Sequence, residues 1–293
     1  MSFDVLQRKI EMMKNPTVVG LDPTHALVPP SLLLSAGESA RAYTHFNCNI
    51  IDAICDIVPA VKPQAAFYEQ LGPQGMFVLK ATCDYAHERG MYVILDAKRG
   101  DIGSTAAAYA DAYLGKESDY AVDSLTINAY LGSDGVTPFL DEAKANDKTL
   151  FALAKTSNPS SGEIQDLSAG DKRIYEHMGD LVERLGVDSI GEFGYSRLGA
   201  VVGATYPSEL VSLRERLPHT FFLVPGYGAQ GGGAADVAGA FDKNGRGAII
   251  NSSRAIIGAW KKTDNDGTDF AEAARNEALK MREDLRNELK FWN

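Results

Sequence analysis

The chain has 293 residues, 45% hydrophobic, 23% charged and 9% aromatic, with 28 Gly and 12 Pro; this globular composition excludes disordered, collagen-like and disulfide-scaffold proteins. Its 29 Lys and Arg against 39 Asp and Glu give a formal charge of -10, which argues against nucleic acid or an anionic membrane surface as the main partner, although a locally basic pocket for a small anion is still allowed. The N-terminal MSFDVLQRKIEMMKN carries acids in its first turns without a signal-length apolar run, and no long apolar segment follows, so no membrane span and a cytoplasmic protein are expected.

Compact β-rich runs bounded by Gly, Pro or Asp recur along the chain. In order they are Thr17 to Asp22, Val58 to Pro63, Met91 to Lys98, Ser124 to Ala129, Leu150 to Thr156, Gly199 to Thr205, Thr220 to Gly226 and Gly247 to Ser253. Between them lie helical-period segments such as GMFVLKATCDYAHERG and PSELVSLRERLP. Eight β/α units in series predict an α/β fold, a (β/α)₈ TIM barrel forming one domain over residues 1–293. Two stretches break the rhythm: Asn158 to Gly170, with the composition of a mobile loop on the catalytic face or of a passive surface loop, and Gly186 to Arg197. The final run from Asp269 predicts an amphipathic helix on the barrel exterior.

A barrel gathers its chemistry at the C-terminal ends of its strands, so polar residues belong there. Asp22 ends the first run, Lys62 the second, Asp96 and Lys98 the third, Asn128 the fourth, Lys155 to Ser157 the fifth, Gly226 with Gln230 the seventh, and Ser253 with Arg254 the eighth. The densest group is DAKRGDIGST, Asp96 to Thr105. In a strand Asp96 and Lys98 face the same side, so both can point into the mouth while Ala97 packs outward. A buried lysine flanked by carboxylates stays protonated and can donate to a carbon acid. The alternative is a salt-bridge network bracing the rim.

VPGYGAQGGGAADV, from Val224, contains G-x-G-x-x-G at Gly226, Gly228 and Gly231. A dinucleotide site is a poor reading, because no acidic residue ends the following strand to hold a ribose. Gly-rich backbone before a helix offers amide donors to a phosphate, and Arg254 supplies a guanidinium for the same group; tight turns and a surface Arg are the bland alternative. Cys48, Cys55 and Cys83 show no C-x-x-C spacing and read as small core residues. The five histidines lack metal-ligand spacing, and Asp264 to Asp269 reads as a turn, so no metal site is expected.

DAKRGDIGST resembles the D-x-K-x-x-D-I signature of orotidine 5'-phosphate decarboxylases, and VPGYGAQGG with NSSRAI resembles the phosphate loops of the longer, second subfamily of that enzyme. The likeness runs from VVGLDP to the last strand with no departure at a key position. It implies a cofactor-free and metal-free enzyme whose partner is a small molecule, orotidine 5'-phosphate. Lys98 would protonate C6, Asp96 would sit beside the departing carboxylate, and Lys62 would hold Asp96 and the ribose. Asp101, with Ile102 and Thr105, would reach into the other subunit's site in a homodimer. Asp22 would bind ribose hydroxyls and Ser157 the pyrimidine edge. Gln230 and Arg254 would bind the phosphate, and Asn128, Pro225, Gly226 and Ser253 would complete the substrate-binding set.

Two other readings compete. A keto-gulonate phosphate decarboxylase or sugar-phosphate epimerase would need a magnesium ion or a further carboxylate, and Asp22 is the only other acid at a strand end. A non-catalytic nucleotide sensor would have no use for Lys62, Asp96, Lys98 and Asp101 together.

Overall fold

The computed structural model describes residues 3–228, 231–263 and 265–291. Eight parallel strands close into a barrel: β1 Thr17–Leu21, β2 Ala60–Pro63, β3 Tyr92–Arg99, β4 Ser124–Ile127, β5 Thr149–Lys155, β6 Leu198–Val202, β7 Phe222–Pro225 and β8 Ala248–Ser252. Each pairs with its sequence neighbour, and β1 closes on β8 with Thr17 opposite Ile250. This is the predicted architecture, shortened by a residue or two at most strand ends.

The helices follow the same logic. The longer ones are α1 Asp4–Met13, α2 Ser39–Ile54, α3 Pro73–Glu88, α4 Gly103–Leu114, α5 Ser133–Ala145, α6 Ile174–Gly186, α7 Pro207–Arg216 and α8 Phe270–Leu289. Alternation along the strands divides the apolar residues into two bodies. Outward residues such as Val93, Leu95 and Ala97 of β3 join the core under the helices. Inward residues Val18, Ile94, Phe151, Leu223 and Ile249 meet Phe3, just before α1, and Leu6 and Ile10 of α1, which plugs the barrel floor. Phe3 lies 4.8 Å from both Phe151 and Phe221, ring centre to centre.

The stretch 186–197 belongs to this floor. The backbone N–H groups of Glu192 and Phe193 donate to the Asp4 carboxylate at 3.0 and 3.1 Å, and Tyr195 is buried in the floor cluster. The segment is therefore tied to the start of α1, far from the strand ends that carry chemistry. The 158–170 stretch also departs from a plain loop: it contains a 3-10 turn at Pro159–Ser161, a helical turn at Gly162–Gln165, and the first strand of a small antiparallel hairpin pairing Ser168 with Arg173.

Of the cysteines, Cys83 is a buried core residue, whereas Cys48 and Cys55 are only half-buried, because both lie near the solvent-facing edge of α2. In the predicted turn before α8, Gly267 and Thr268 donate to Asn265 and Asp266; Asp264 lies outside the described residues. Ala273, Ala274, Ala278, Met281, Leu285 and Leu289 form the buried stripe of α8, as the amphipathic pattern predicts.

Candidate active site

Above the aromatic floor the inward side chains change character. Lys62, Asp96, Lys98, Leu153, Val201, Leu223, Pro225 and Asn251 line a cavity of about 480 Å³ at the C-terminal ends of the strands, closed at its rim by Asp22, Gln64, Phe67, Thr156, Ser157 and Asn158. Its chemistry centres on Asp96. Lys62 Nζ donates to Asp96 Oδ2 at 2.8 Å, and Lys98 Nζ donates to Oδ1 at 2.6 Å. Burial alone would favour a neutral Asp96, but the two ammonium groups outweigh it and hold the carboxyl well below the usual carboxylate range. Burial likewise works against the charge on Lys62, and Asp96 with Asp22 overcome it, so its pKa is raised. Both partners are therefore ionised, consistent with a cation, anion, cation row.

The row corrects one expectation. Lys62 is the buried lysine, its side chain 5% exposed, whereas Lys98 is 43% exposed and reaches into the open part of the cavity. Lys98 also departs from ideal strand geometry, with φ of 49°. The β3–β4 register passes from Leu95 opposite Leu125 to Arg99 opposite Ile127, a bulge that accommodates the turn of the backbone.

The remaining predicted residues divide. Asp22 and Ser157 line the cavity, with Pro225. Gly203 allows the β5 end to approach, since a Cβ there would lie 2.8 Å from that of Ser157. The Ser253 hydroxyl is turned toward Asp22, donating to Oδ2 at 2.5 Å; Gly20 leaves the space that brings it there. Ser253, expected in the substrate-binding set, thus holds Asp22 at the cavity rim. Arg254 is exposed at the rim, Gly226 adopts φ of 110°, and Gln230 lies outside the described residues.

Asn128, Asp101, Ile102 and Thr105 stand outside the cavity within this chain. Asn128 Oδ1 accepts from Tyr130 N–H and lines a shallow depression beside Lys98 with Gly100, Tyr130 and Leu131. Asp101 accepts from Ile102 N–H, and no ion pair joins it to Lys98 among the described residues, so the expected Asp96–Lys98–Asp101 cluster is not assembled within one chain. Ile102 and Thr105 are exposed on the same rim.

Lys155 is a further correction. Parity from Phe151 and Leu153 would aim it into the barrel, but the β5–β6 register slips between Leu153 and Lys155. The slip reverses its side. It is wholly buried outside the barrel, paired with Asp166 and with Glu209 at 3.4 Å and lying over the Tyr175 and Tyr206 rings.

Sequence reasoning missed Thr126, Asn251, Gln64 and Phe67. Thr126 and Asn251 carried a usable signal, since each has inward parity one step below a strand end. Two buried acceptors, Asp22 Oδ1 and Asn251 Oδ1, have no protein partner among the described residues, so the cavity offers unmet hydrogen-bond acceptors to a ligand bearing N–H or O–H groups.

A closed parallel barrel with a charged, partly desolvated cavity at its strand ends defines a barrel enzyme acting on a small polar molecule. The comparisons narrow this. The sequence profile of the orotidine 5'-phosphate decarboxylase / HUMPS family matches residues 16–265, and the chain belongs to that family. It is 47% identical over 283 residues, 92% of this chain and 94% of the relative, to the orotidine 5'-phosphate decarboxylase of Rhodopirellula baltica. It is 42% identical over 286 residues, 97% of this chain and 99% of the relative, to the enzyme of the same name from Clostridium botulinum strain Hall. The solved structure of Leishmania donovani OMP decarboxylase superposes with a TM-score of 0.74 at 32% identity, covering 97% of this chain and 100% of that one.

Proposed function

We propose that this chain decarboxylates orotidine 5'-phosphate to uridine 5'-phosphate, the last step of de novo UMP synthesis, without metal or cofactor. The observation that carries the reading is the Lys62–Asp96–Lys98 row, joined at 2.8 and 2.6 Å at the mouth of a barrel of this family. The C6–carboxylate bond breaks, carbon dioxide leaves, and the electron pair stays on C6, a vinylic carbanion with no ring nitrogen placed to delocalise it. A fixed cation beside C6 stabilises that charge in the transition state more than in the ground state. Lys98 Nζ is that cation, and it then passes its proton to C6 and is reprotonated from solvent.

Asp96 remains charged and confronts the substrate carboxylate, which departure as neutral carbon dioxide relieves. Lys62 keeps Asp96 ionised. The unpartnered Asp22 Oδ1 suits a ribose hydroxyl, Ser157 the pyrimidine edge, and the glycine loop with Gln230 and Arg254 the phosphate. Phosphate binding far from C6 can be used to press the carboxylate against Asp96, so phosphate contacts act on the chemical step as well as on affinity.

The reading includes a cytoplasmic homodimer. The three cysteines are free, as suits a reducing compartment. Asp101, Ile102 and the neighbouring exposed Tyr130 and Leu131 form the rim through which a second copy would receive Asp101. Loss of orotidine 5'-phosphate absorbance, followed with and without EDTA and with Lys98→Ala as control, tests the activity. Metal-independent turnover that the variant lacks supports it. Turnover abolished by EDTA would overturn the metal-free mechanism, and tight uridine 5'-phosphate binding without turnover would favour a sensor. Mixed Lys98→Ala and Asp101→Ala subunits should recover activity if sites are shared; no recovery despite subunit exchange would remove the shared site.

A further inference from the structure

We propose that Thr126 is a positioning residue for the proton donor, setting both the backbone of Lys98 and the carboxylate of Asp96 through one hydroxyl. Its Oγ accepts the Lys98 backbone N–H at 2.9 Å and donates to Asp96 Oδ1 at 2.8 Å. Thr126 is fully buried on β4, across the bulge from Lys98.

The two bonds fix the hydroxyl's orientation. An amide N–H can only donate, so Thr126 Oγ accepts there and its own proton is left for a second partner. That partner is an ionised carboxylate, which can only accept. As a β-branched side chain Thr126 is stiff about χ1, so its oxygen is aimed before the substrate arrives.

The need for such an anchor lies in the backbone. Among the described residues, non-glycine φ values in the left-handed region occur at Lys14, Lys98, Asp147 and Lys290. Lys14 and Lys290 cap helix C-termini, and Asp147 sits in a turn. Lys98 alone lies within a strand, where L-residues avoid that conformation and surrounding contacts must impose it. At the bulge Lys98 has no register partner on β4, and its N–H donates to the Thr126 oxygen. The same Asp96 oxygen that receives the Thr126 proton receives Lys98 Nζ, so Thr126 holds the lysine at both ends of its side chain: directly at the backbone, and through Asp96 at the ammonium.

This role rests on Lys98 being the proton donor of the proposed reaction. Thr126→Val keeps shape and volume while deleting the hydroxyl. The expected result is a kcat lowered by about 10- to 100-fold, the scale of a misplaced catalytic group, with KM within threefold because the substrate-facing groups remain. Thr126→Ser, which restores the hydroxyl without the methyl, should recover most of kcat. Should Thr126→Val fail to fold, Thr126→Cys decides, its weakly bonding thiol placing kcat well below that of Thr126→Ser. Wild-type kcat in Val or Cys overturns the proposal, as does an equal loss in Ser and Val, which would make the effect one of packing. Amide hydrogen exchange at Lys98 supplies a readout independent of the substrate: faster exchange in Val than in Ser supports the anchor, and equal exchange overturns it. Absence of turnover in the wild type would instead sink the decarboxylase reading while leaving the exchange test intact.

Discussion

Two buried lysines stand near the ends of strands β2 and β5, on opposite sides of the barrel wall. Lys62 points inward, its side chain 5% exposed, and shares Asp96 with the open Lys98. Lys155 points outward, wholly buried, and is closed off by Asp166, Glu209 and two tyrosine rings. Both satisfy a buried charge with carboxylates, as a low-dielectric environment demands. The difference is what else their partners meet. Asp96 holds a second, solvent-reachable ammonium in a cavity, so its pairing leaves a cation available to a ligand. Asp166 ties the segment after β5 to Lys155, which also meets Glu209 of α7, and presents nothing to the cavity. A buried lysine at a barrel rim is therefore no sign of chemistry until its side of the sheet is known.

The comparison breaks most visibly at Lys98. Lys98→Ala removes the reachable cation, and turnover should fall by at least about 10³-fold, while the thermal midpoint stays near that of the wild type because the side chain is partly exposed. Activity within tenfold of wild type would move the chemistry to another group. Asp96→Asn strands the Lys62 ammonium without its counterion and should cost about 3–5 kcal/mol of stability besides activity, measured by chemical denaturation. An unchanged denaturation midpoint would show that Lys62 has found another partner.

Lys155→Met sharpens the contrast from the other side. Methionine fills the space between Tyr175 and Tyr206, and the partly exposed Asp166 and Glu209 can regain water, so the expected cost is about 1–3 kcal/mol. With kcat measured beside stability, a change below about tenfold marks an architectural lysine, whereas a loss approaching that of Lys98→Ala would make it part of the mechanism.

The smallest expected effect is at Asp180 of α6, which receives Arg216 Nε at 2.6 Å and Lys172 Nζ at 2.9 Å. The hydrogen bond from Arg216 is the main cause, with Lys172 assisting against partial burial, and the carboxyl is held at about 2. Because the folded value lies below the unfolded one, this stabilisation is complete above about pH 4 and is lost as pH falls toward 2. The stability gap between wild type and Asp180→Asn should therefore narrow across that window. A gap constant with pH would mean that charge on Asp180 contributes nothing.

Much of this was legible from the chain itself. Eight apolar runs with polar ends at Asp22, Lys62, Asp96 and Lys98 announced a barrel and the lip of its cavity, because a strand's side-chain period is 2 and a barrel hides every inward residue except those at the mouth. The same rule misled at Lys155, where a one-step slip in pairing reverses the side chain, and overlooked Thr126 and Asn251, whose inward parity was visible but whose partners were not. Ser253 shows a third limit: its place at the end of the eighth run put it in the substrate-binding set, but did not reveal that the space at Gly20 turns it to Asp22.

Composition and local pattern were enough for the fold class, the strand order and the identity of the charged residues, since these follow from short-range periodicity and from the cost of burying charge away from a strand end. Tertiary structure alone decided which of those charges meet. Lys62 and Asp96 are 34 residues apart and Thr126 lies 30 from Asp96, and their contacts at 2.8 Å depend on the register of neighbouring strands. Bulges at β3 and β5 set that register locally, through backbone geometry that no side-chain pattern along the chain records.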